Sequence, residues 1–466
     1  MPVEKNKEYI VNIIDNGFEG EGIAKIEGFT IFIPNAIKGE KVKIIIVKVL
    51  TSHAFGKITQ ILEPSPNRVE SDCNTYKRCG GCSLRHIDYQ QTLKMKQNAV
   101  QSLVNKTLQN KVQVQETVGM DNPYHYRNKV QFPVGIDKNG VPQLGVFANR
   151  THEIIPIEKC LIQNEKAEQI AKSVFKFWVD EHISIYQENT QKGLLRHIVV
   201  KAGIKTNEYM CIVVINGKSI KNEQGASLQG ASLEEKLVDN LKNEFPELKT
   251  IVINSNMKNT NVILGKENRV IYGDGYITDK LGEYYFKISP FSFYQVNPVQ
   301  AEKLYTIGVQ AANISKEDVV FDLYCGIGTI SLFMAKYAKK VYGIEIVEEA
   351  VKMAKENAVN NHIDNVEFLA GDVEKILDEL INEKNILPDV VMVDPPRRGL
   401  DKHSVENILK IRPKRMVYIS CNPATLVRDL SLLENEYLVE EIRPVDMFPF
   451  TSSIECVAVL RKISNN

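Results

Sequence analysis

The chain has 466 residues, 43% hydrophobic and 25% charged, with 27 Gly and 18 Pro; at roughly 100–200 residues per domain this predicts several domains with sizeable cores and excludes a mini-protein or a mainly disordered chain. The 58 basic and 58 acidic side chains leave a formal charge of +0, so no whole-molecule field draws nucleic acid or a membrane, and any basic patch must be local. The longest apolar runs, such as 42–50 with Lys43 and Lys48 inside it, fall well short of the roughly 20 residues of a spanning helix, and residues 1–7 lack a signal-peptide core; a cytoplasmic protein without membrane contact is expected.

Residues 8–62 read as short β-runs over 9–14, 23–26, 30–33, 41–49 and 56–61, with turns at Asn16-Gly17, Glu27-Gly28 and Lys38-Gly39. Short, regularly spaced strands predict a small closed β-barrel. Eight Lys against seven Asp and Glu over 1–62 neither require nor exclude nucleic acid there. Glu63-Pro64-Ser65-Pro66 reads as a linker. A turn crowded with Cys73, Cys79 and Cys82 follows, then a helix over 89–110 with Leu93, Val100, Leu103 and Val104 among polar residues. From 128 to 282 the pattern is mostly strands, with helices near 165–178 and 233–244, an α+β domain. The tandem Gly-Ala-Ser-Leu at 225–228 and 230–233 reads as a tolerated surface loop or helix lead-in.

From residue 303 strands and helices alternate: strands over 319–323, 340–345, 366–370, 390–393 and 416–419, helices over 330–338 and 347–360, and a β-rich tail to 460. Such alternation predicts an α/β, doubly wound, Rossmann-like sheet that binds its ligand at the carboxyl ends of its strands. The expected division is a barrel over 1–62, a central α+β domain over 63–88 and 119–285, and the α/β domain over 89–118 and 286–466.

The first of these strands ends in Asp322-Leu323-Tyr324-Cys325-Gly326-Ile327-Gly328-Thr329 and opens directly into a helix. Gly326 and Gly328 let backbone approach a ligand closely, and the helix start offers unpaired N–H groups. A short Gly-x-Gly also serves as a purely structural turn, but three more strand ends converge on it: Glu345, where ribose hydroxyls can be accepted, Gly371-Asp372, and Asp394-Pro395-Pro396-Arg397. Ser331 stands where a dinucleotide fingerprint needs its third glycine. The motif order resembles instead that of class I S-adenosylmethionine-dependent methyltransferases, which implies binding of that methyl donor.

Ile419-Ser420-Cys421-Asn422-Pro423 ends the fifth strand, on the same sheet edge. A lone cysteine is usually a small buried hydrophobe. Beside a methyl donor it has a specific use when the acceptor is an unactivated carbon such as uracil C5: the thiolate adds to C6, C5 becomes nucleophilic and takes the methyl, and a base removes the C5 proton so that the thiol leaves. Glu455, at the start of a tail strand, is a candidate base, against the ordinary reading of a glutamate as a surface residue.

Phe293-Tyr294-Gln295-Val296-Asn297, the 322–329 turn, Asp394-Pro395-Pro396-Arg397, Ser420-Cys421-Asn422-Pro423 and the Thr451-x-x-x-Glu455 tail together resemble the bacterial RNA uracil-C5 methyltransferases, and especially the branch that modifies 23S ribosomal RNA, in the same order over nearly the whole chain. Carried over position by position, the resemblance implies Gln295, Tyr324, Glu345 and Asp394 as S-adenosylmethionine contacts beside Gly326, Gly328 and Asp372, Cys421 as nucleophile and Glu455 as base. The family tail commonly reads Pro-His-Thr-x-His-x-Glu, whereas Phe450 and Ser453 stand here in place of the histidines. The N-terminal module is similar to a TRAM-type RNA-binding barrel, and Tyr126-Arg127-Asn128-Lys129 resembles a family motif near the RNA path. The stretch 395–430, with eight Lys and Arg against three Asp and Glu, is a second-rank indication of phosphate contact.

Cys73-x5-Cys79-Gly80-Gly81-Cys82 supplies three thiolates from one turn, and Cys160 is the candidate fourth; four thiolates suit either zinc or a [4Fe–4S] cluster, and the spacing alone does not decide. The branch with this cysteine spacing carries [4Fe–4S], so the resemblance favours the cluster, in a structural or RNA-contacting role, since the uracil chemistry needs no electron transfer. The expected enzyme is thus a monomeric 23S rRNA uracil-C5 methyltransferase. A tRNA uracil-C5 methyltransferase, a noncatalytic RNA-binding assembly factor and a small-molecule methyltransferase are the alternatives; the Cys421/Glu455 pair argues against the second and the barrel against the third.

Overall fold

A computed structural model of the chain describes residues 2–149, 151–221 and 232–463. The duplicated Gly-Ala-Ser-Leu stretch lies outside them except for its last two residues, Ser232 and Leu233; Ser232 caps the helix Leu233–Glu244.

The N-terminal unit is a six-stranded sheet of β1 (Glu8–Asn12), β2 (Asp15–Asn16), β3 (Gly22–Ile26), β4 (Phe29–Ile33), β5 (Lys41–Val49) and β6 (His53–Glu63), in the order β1-β5-β6-β4-β3-β2. β1 and β2 lie at opposite ends of that order yet are one stretch of chain, so the segment 8–16 closes the barrel. The period-2 alternation that predicts these strands turns Val11, Ala24, Ile31, Ile33, Val42, Ile44, Ile46 and Ala54 inward. β6 runs longer than the expected 56–61. Its Gly56 sits mid-strand against Ile44, 2.9 Å from where a Cβ would stand, and the β5–β6 pairing is bulged there.

After α1 (Tyr89–Thr107) comes a second sheet of β7 (Lys129–Ile136), β8 (Pro142–Phe147), β9 (Ile154–Pro156), β10 (Leu195–Gly203), β11 (Glu208–Ile215), β12 (Leu248–Ser255) and β13 (Glu267–Tyr272), ordered β13-β12-β11-β10-β7-β8-β9. Its one parallel pair is β11–β12, joined through α3 (Leu233–Glu244). α2 (Glu165–Asp180) and α3 cover one face, where Val174, Trp178 and Leu241 share a buried core with Ile198, Val200 and Cys211 of the sheet. The hairpin of β14 (Ile277–Leu281) and β15 (Tyr284–Ile288) leads to the third unit.

That unit contains α4 (Pro298–Ala312), β16 (Val319–Leu323), α5 (Thr329–Ala335), β17 (Lys340–Glu345), α6 (Glu348–Asn360), β18 (Val366–Ala370), α7 (Val373–Asp378), β19 (Val390–Val393), α8 (Lys402–Ile411), β20 (Arg415–Ser420), α9 (Pro423–Leu433), β21 (Tyr437–Val445) and β22 (Glu455–Lys462). The sheet order is β18-β17-β16-β19-β20-β22-β21, parallel from β18 to β20 and antiparallel at β22 and β21. It is the expected Rossmann-like fold, with β22 threaded between β20 and β21. α4, α5 and α6 pack on one face and α7, α8 and α9 on the other. Val100, Val104 and Leu108 of the α1 region, with Val114, belong to the latter core. Among the described residues no helix is long and apolar enough to cross a membrane.

Candidate active site

A cavity of about 1340 Å³ opens at the carboxyl ends of the sheet. The parallel register places its floor: Leu323 pairs with Ile344 and with Val393, so the 324–328 turn, Glu345 and Asp394 emerge side by side. Gly328 has φ +82, and a Cβ there would meet Phe368 at 2.6 Å, so only glycine lets this turn enter α5. Gly326 has φ +55 and open space above it. Its N–H donates to Glu345 Oε2 at 3.2 Å, while Oε1 accepts from Val347 N at 2.9 Å, so the carboxylate that ends β17 is oriented by the turn it faces. Asp372 caps α7, accepting from Glu374 N. Tyr324 and Ser404 share a hydroxyl hydrogen bond of 3.1 Å. Gln295, Tyr324, Gly326, Glu345, Asp372 and Asp394 all line the cavity; Gly328 does not, although its neighbours Ile327 and Thr329 do.

The other wall holds Cys421 and Glu455. Ser420 pairs with Cys456 across β20 and β22, which sets Cys421 beside Glu455 although 34 positions separate them in sequence. Both line the cavity together with Asp394 and Arg397. Burial, then the Glu455 and Asp394 carboxylates, push the Cys421 thiol up to about 11, and Arg397 opposes them. Glu455 is held well above the usual carboxylate range by burial first and Asp394 second. Burial alone carries Asp394 to about 7. Asp322, beneath the turn, is raised to about 7 chiefly by burial; its Oδ2 accepts from Ser331 Oγ at 2.5 Å and its Oδ1 has no partner among the described residues. Two carboxyls raised by burial, Asp394 and Glu455, and one thiol line a single volume, an arrangement typical of acid–base sites and one a nearby cation would ionise.

Other lining residues join them, of which Tyr305, Phe291 and Phe448 carry no signal in the sequence. Tyr305 of α4 is buried, within hydrogen-bond reach of Thr329 and Gln295 and close enough to Asp394 and Glu455 to feel their charge. Phe293 is 73% and Phe291 54% exposed at the mouth. Phe448 and Ser453 complete the rim. Tyr126 and Asn128, expected near an RNA path, are buried braces instead: the Tyr126 hydroxyl donates to the Pro449 carbonyl at 3.2 Å, and Asn128 Nδ2 to the Gln295 carbonyl at 2.9 Å.

The cysteine turn lies behind the tail loop. Cys82 and Cys160 pack with Met120, Tyr126, Ile162 and Phe450. Burial, with smaller contributions from Cys160, Cys79 and Cys73, raises the Cys82 thiol to about 12 against the pull of Arg85; Cys79 and Cys160 are raised mainly by burial. All four thiols are therefore close enough to interact and none is in a disulfide. Among the described residues no three His, Cys, Asp or Glu side chains are disposed around one ion. An all-thiol donor set suits a thiophilic centre, zinc or an iron–sulfur cluster alike, which these four cysteines would hold.

Comparison with known proteins bears on this geometry. Residues 88–463 match the model of the tRNA (uracil-5-)-methyltransferase family and residues 2–59 that of the TRAM domain. The chain is 44% identical over 462 residues to an uncharacterized RNA methyltransferase of Clostridium tetani, covering 99% of this chain and 97% of that one. It is 43% identical over 468 residues to another from Oceanobacillus iheyensis, covering 100% and 99%. The solved tRNA (uracil-54, C5)-methyltransferase of Pyrococcus abyssi, in complex with S-adenosyl-L-homocysteine, superposes with a TM-score of 0.75 at 24% identity, covering 97% of this chain and 100% of that one.

Proposed function

This chain belongs to the tRNA (uracil-5-)-methyltransferase family and carries a TRAM domain, and on that premise we propose that it methylates uracil C5 in structured RNA, 23S rRNA first among the candidates, by covalent catalysis. The observation that carries this reading is the pairing of Cys421 with Glu455 on one wall of a cavity whose floor is the Gly326–Gly328 turn. An exocyclic amine needs no such thiol; a ring carbon does.

S-Adenosylmethionine is the methyl donor, held by Gln295, Tyr324, Gly326, Gly328, Glu345, Asp372 and Asp394. Glu345 keeps lone pairs for ribose hydroxyls beside its two backbone bonds. Bound in this cavity, the donor would bring a sulfonium cation near Asp394, Glu455 and Cys421, which line it together, and would favour their charged forms. That offsets the burial which otherwise keeps them protonated. The Cys421 thiolate forms a bond to C6 of a uridine drawn out of its stack, and the C5–C6 electron pair moves toward O4. C5 then takes the methyl carbon as the S–CH3 pair returns to the departing S-adenosylhomocysteine. Glu455 accepts the C5 proton, the C5–H pair restores the C5–C6 double bond, and the C6–S pair leaves with Cys421.

RNA has two surfaces to meet. Arg397 and Arg398 line the cavity. On the outer face of the barrel, Phe32, His53 and Phe55 stand with ring centroids 5.2–5.9 Å apart. The cross-strand row Ile23, Phe32, Phe55, Lys48 puts them on one side of the sheet. Lys25, Lys48 and Lys57 around it are exposed and make no ion pair among the described residues. Aromatic rings between free cations suit single-stranded bases and phosphates.

We further assign Cys73, Cys79, Cys82 and Cys160 to a [4Fe–4S] cluster. Iron and acid-labile sulfide in the purified protein support it; stoichiometric zinc without iron overturns it. The family model and the Pyrococcus neighbour both name tRNA, so tRNA is the competing substrate. Transfer of labelled methyl groups to 23S rRNA and not to tRNA supports the first reading, and the reverse selects the second. Trapping of a protein–RNA species on 5-fluorouridine RNA, lost in Cys421→Ala, supports the covalent route. Methylation that survives Cys421→Ala removes it.

A further inference from the structure

The tail bearing Glu455 is tied down by groups that the reaction does not touch. Residues 446–453 run from β21 to β22 without regular structure. Against them lies Lys96 of α1, its side chain 3% exposed and facing Asp446 at 0%. Lys96 Nζ donates to Asp446 Oδ1 at 2.5 Å, to the Ser453 carbonyl at 2.9 Å and to the Phe448 carbonyl at 3.3 Å. An ammonium has three protons, and all three go to this one loop. Tyr89, on the same helix, donates to Asp446 Oδ2 at 2.8 Å and accepts from Met120 N at 2.9 Å. Gln300 and Asn297 hold the Asp446 and Met447 carbonyls at 3.1 and 3.0 Å.

A buried ion pair is a poor route to stability, because apolar residues of similar volume serve as well or better. It is a good way to fix several acceptors at one point. Two of those acceptors bracket the cavity rim: Phe448 and Ser453 both line it, and Ser453 is two residues before Glu455. We propose that Lys96, with Asp446 and Tyr89, is a positioning device that fixes the 446–453 loop so that Glu455 meets the C5 proton of the methylated adduct.

The proposal rests on the reading of Glu455 as the base. At that last step Cys421 is already bonded to C6 and the methyl to C5; Glu455 takes the C5 proton, its bonding pair becomes the C5–C6 double bond, and the C6–S pair departs with Cys421. A displaced Glu455 delays this step alone. The methylated RNA–protein adduct then accumulates on ordinary uridine RNA, which a merely structural defect would not cause.

The test compares wild type, Glu455→Gln, Lys96→Met, Tyr89→Phe and the double variant Lys96→Met/Asp446→Leu, reading denaturation-resistant adduct that carries labelled methyl, alongside product formation and melting temperature. Lys96→Met is expected to raise the adduct-to-product ratio at least about tenfold, toward that of Glu455→Gln. Tyr89→Phe, which removes the hydrogen bonds to Asp446 and from Met120 N but no charge, is expected to raise it about fivefold. Because a lone buried charge can prevent folding, the double variant removes both charges and keeps the volume, yet leaves the Phe448 and Ser453 carbonyls unheld. Accumulation of adduct in the folded double variant, or in Tyr89→Phe, supports the proposal. Turnover without adduct in both overturns it and leaves Lys96 a stabilising role only. Turnover without adduct in Glu455→Gln overturns the base assignment itself, and the positioning role with it.

Discussion

On the proposed reading, Asp394 is the residue that receives the donor's charge. Its carboxyl is raised to about 7 by burial alone, so without a donor it is mostly protonated at pH 6 and mostly ionised at pH 8. A sulfonium favours the ionised form, and binding below about pH 7 must expel the proton. S-Adenosylmethionine should therefore bind more tightly as pH rises from 6 to 8, by up to about tenfold, while neutral-sulfur S-adenosylhomocysteine changes less. Calorimetry in buffers of different ionisation enthalpy would register the released proton, and Asp394→Asn should flatten the dependence; equal pH slopes for the two ligands would refute it. At this scale Cys421 and Glu455 are legible in the sequence because each stands in a short motif next to a strand. Tyr305 is not, since an aromatic inside a helix reads as core. Nor is Lys96: its carboxylate partner is 350 residues away, beyond any local pattern.

The barrel face argues at the scale of the element. Phe32 and Phe55 are neighbours because β4 and β6 run parallel, a pairing between strands that are not adjacent in sequence. Alternation alone gives which residues point out, but not which outward residues meet. Replacing Phe32 and Phe55 with Ala should weaken binding of full-length RNA by about 1–3 kcal/mol per stack removed, with little effect on methylation of a short stem-loop. Replacing Lys25, Lys48 and Lys57 should instead lower the salt dependence of binding, by up to about 0.7–0.9 in the log–log slope for each phosphate no longer neutralised. Filter binding at several salt concentrations separates the two, and unchanged affinity in both variants would exclude this face. Among helices, α8 and α9 are not among the elements expected from the sequence, although their starts carry capping residues, Asp401 accepting from Ser404 N and Asn422 before Pro423; both are short, and the Pro and Gly around them obscure their apolar pattern.

For the whole molecule, the α/β class follows from the 303–460 alternation, because parallel strands need crossovers of helical length. What local patterns do not carry is how the units share one site. The cysteine turn grips the tail loop: Ser83 N and Leu84 N donate to the Phe450 carbonyl at 3.0 and 2.9 Å, and the Arg85 guanidinium lies 4.2 Å from the centre of the Phe450 ring. Phe450 thus has a packing role, and it holds φ +64 in doing so. On the proposed cluster assignment, Cys82→Ser should lower the iron content of the purified protein and raise amide hydrogen exchange over 448–453 together. Loss of iron with exchange unchanged there would show the two to be independent.

β22 follows β21 in the chain but lies between β21 and β20. Synthesis runs in the other sense to assembly: the slot must stand open until residues 455–462 have been made, and only their arrival closes the sheet and delivers the carboxylate to the sulfur. A nascent or truncated chain that stops short of β22 has Cys421 but no finished wall around it. Such fragments should be silent toward RNA, and would not capture it in a bond they lack the means to release.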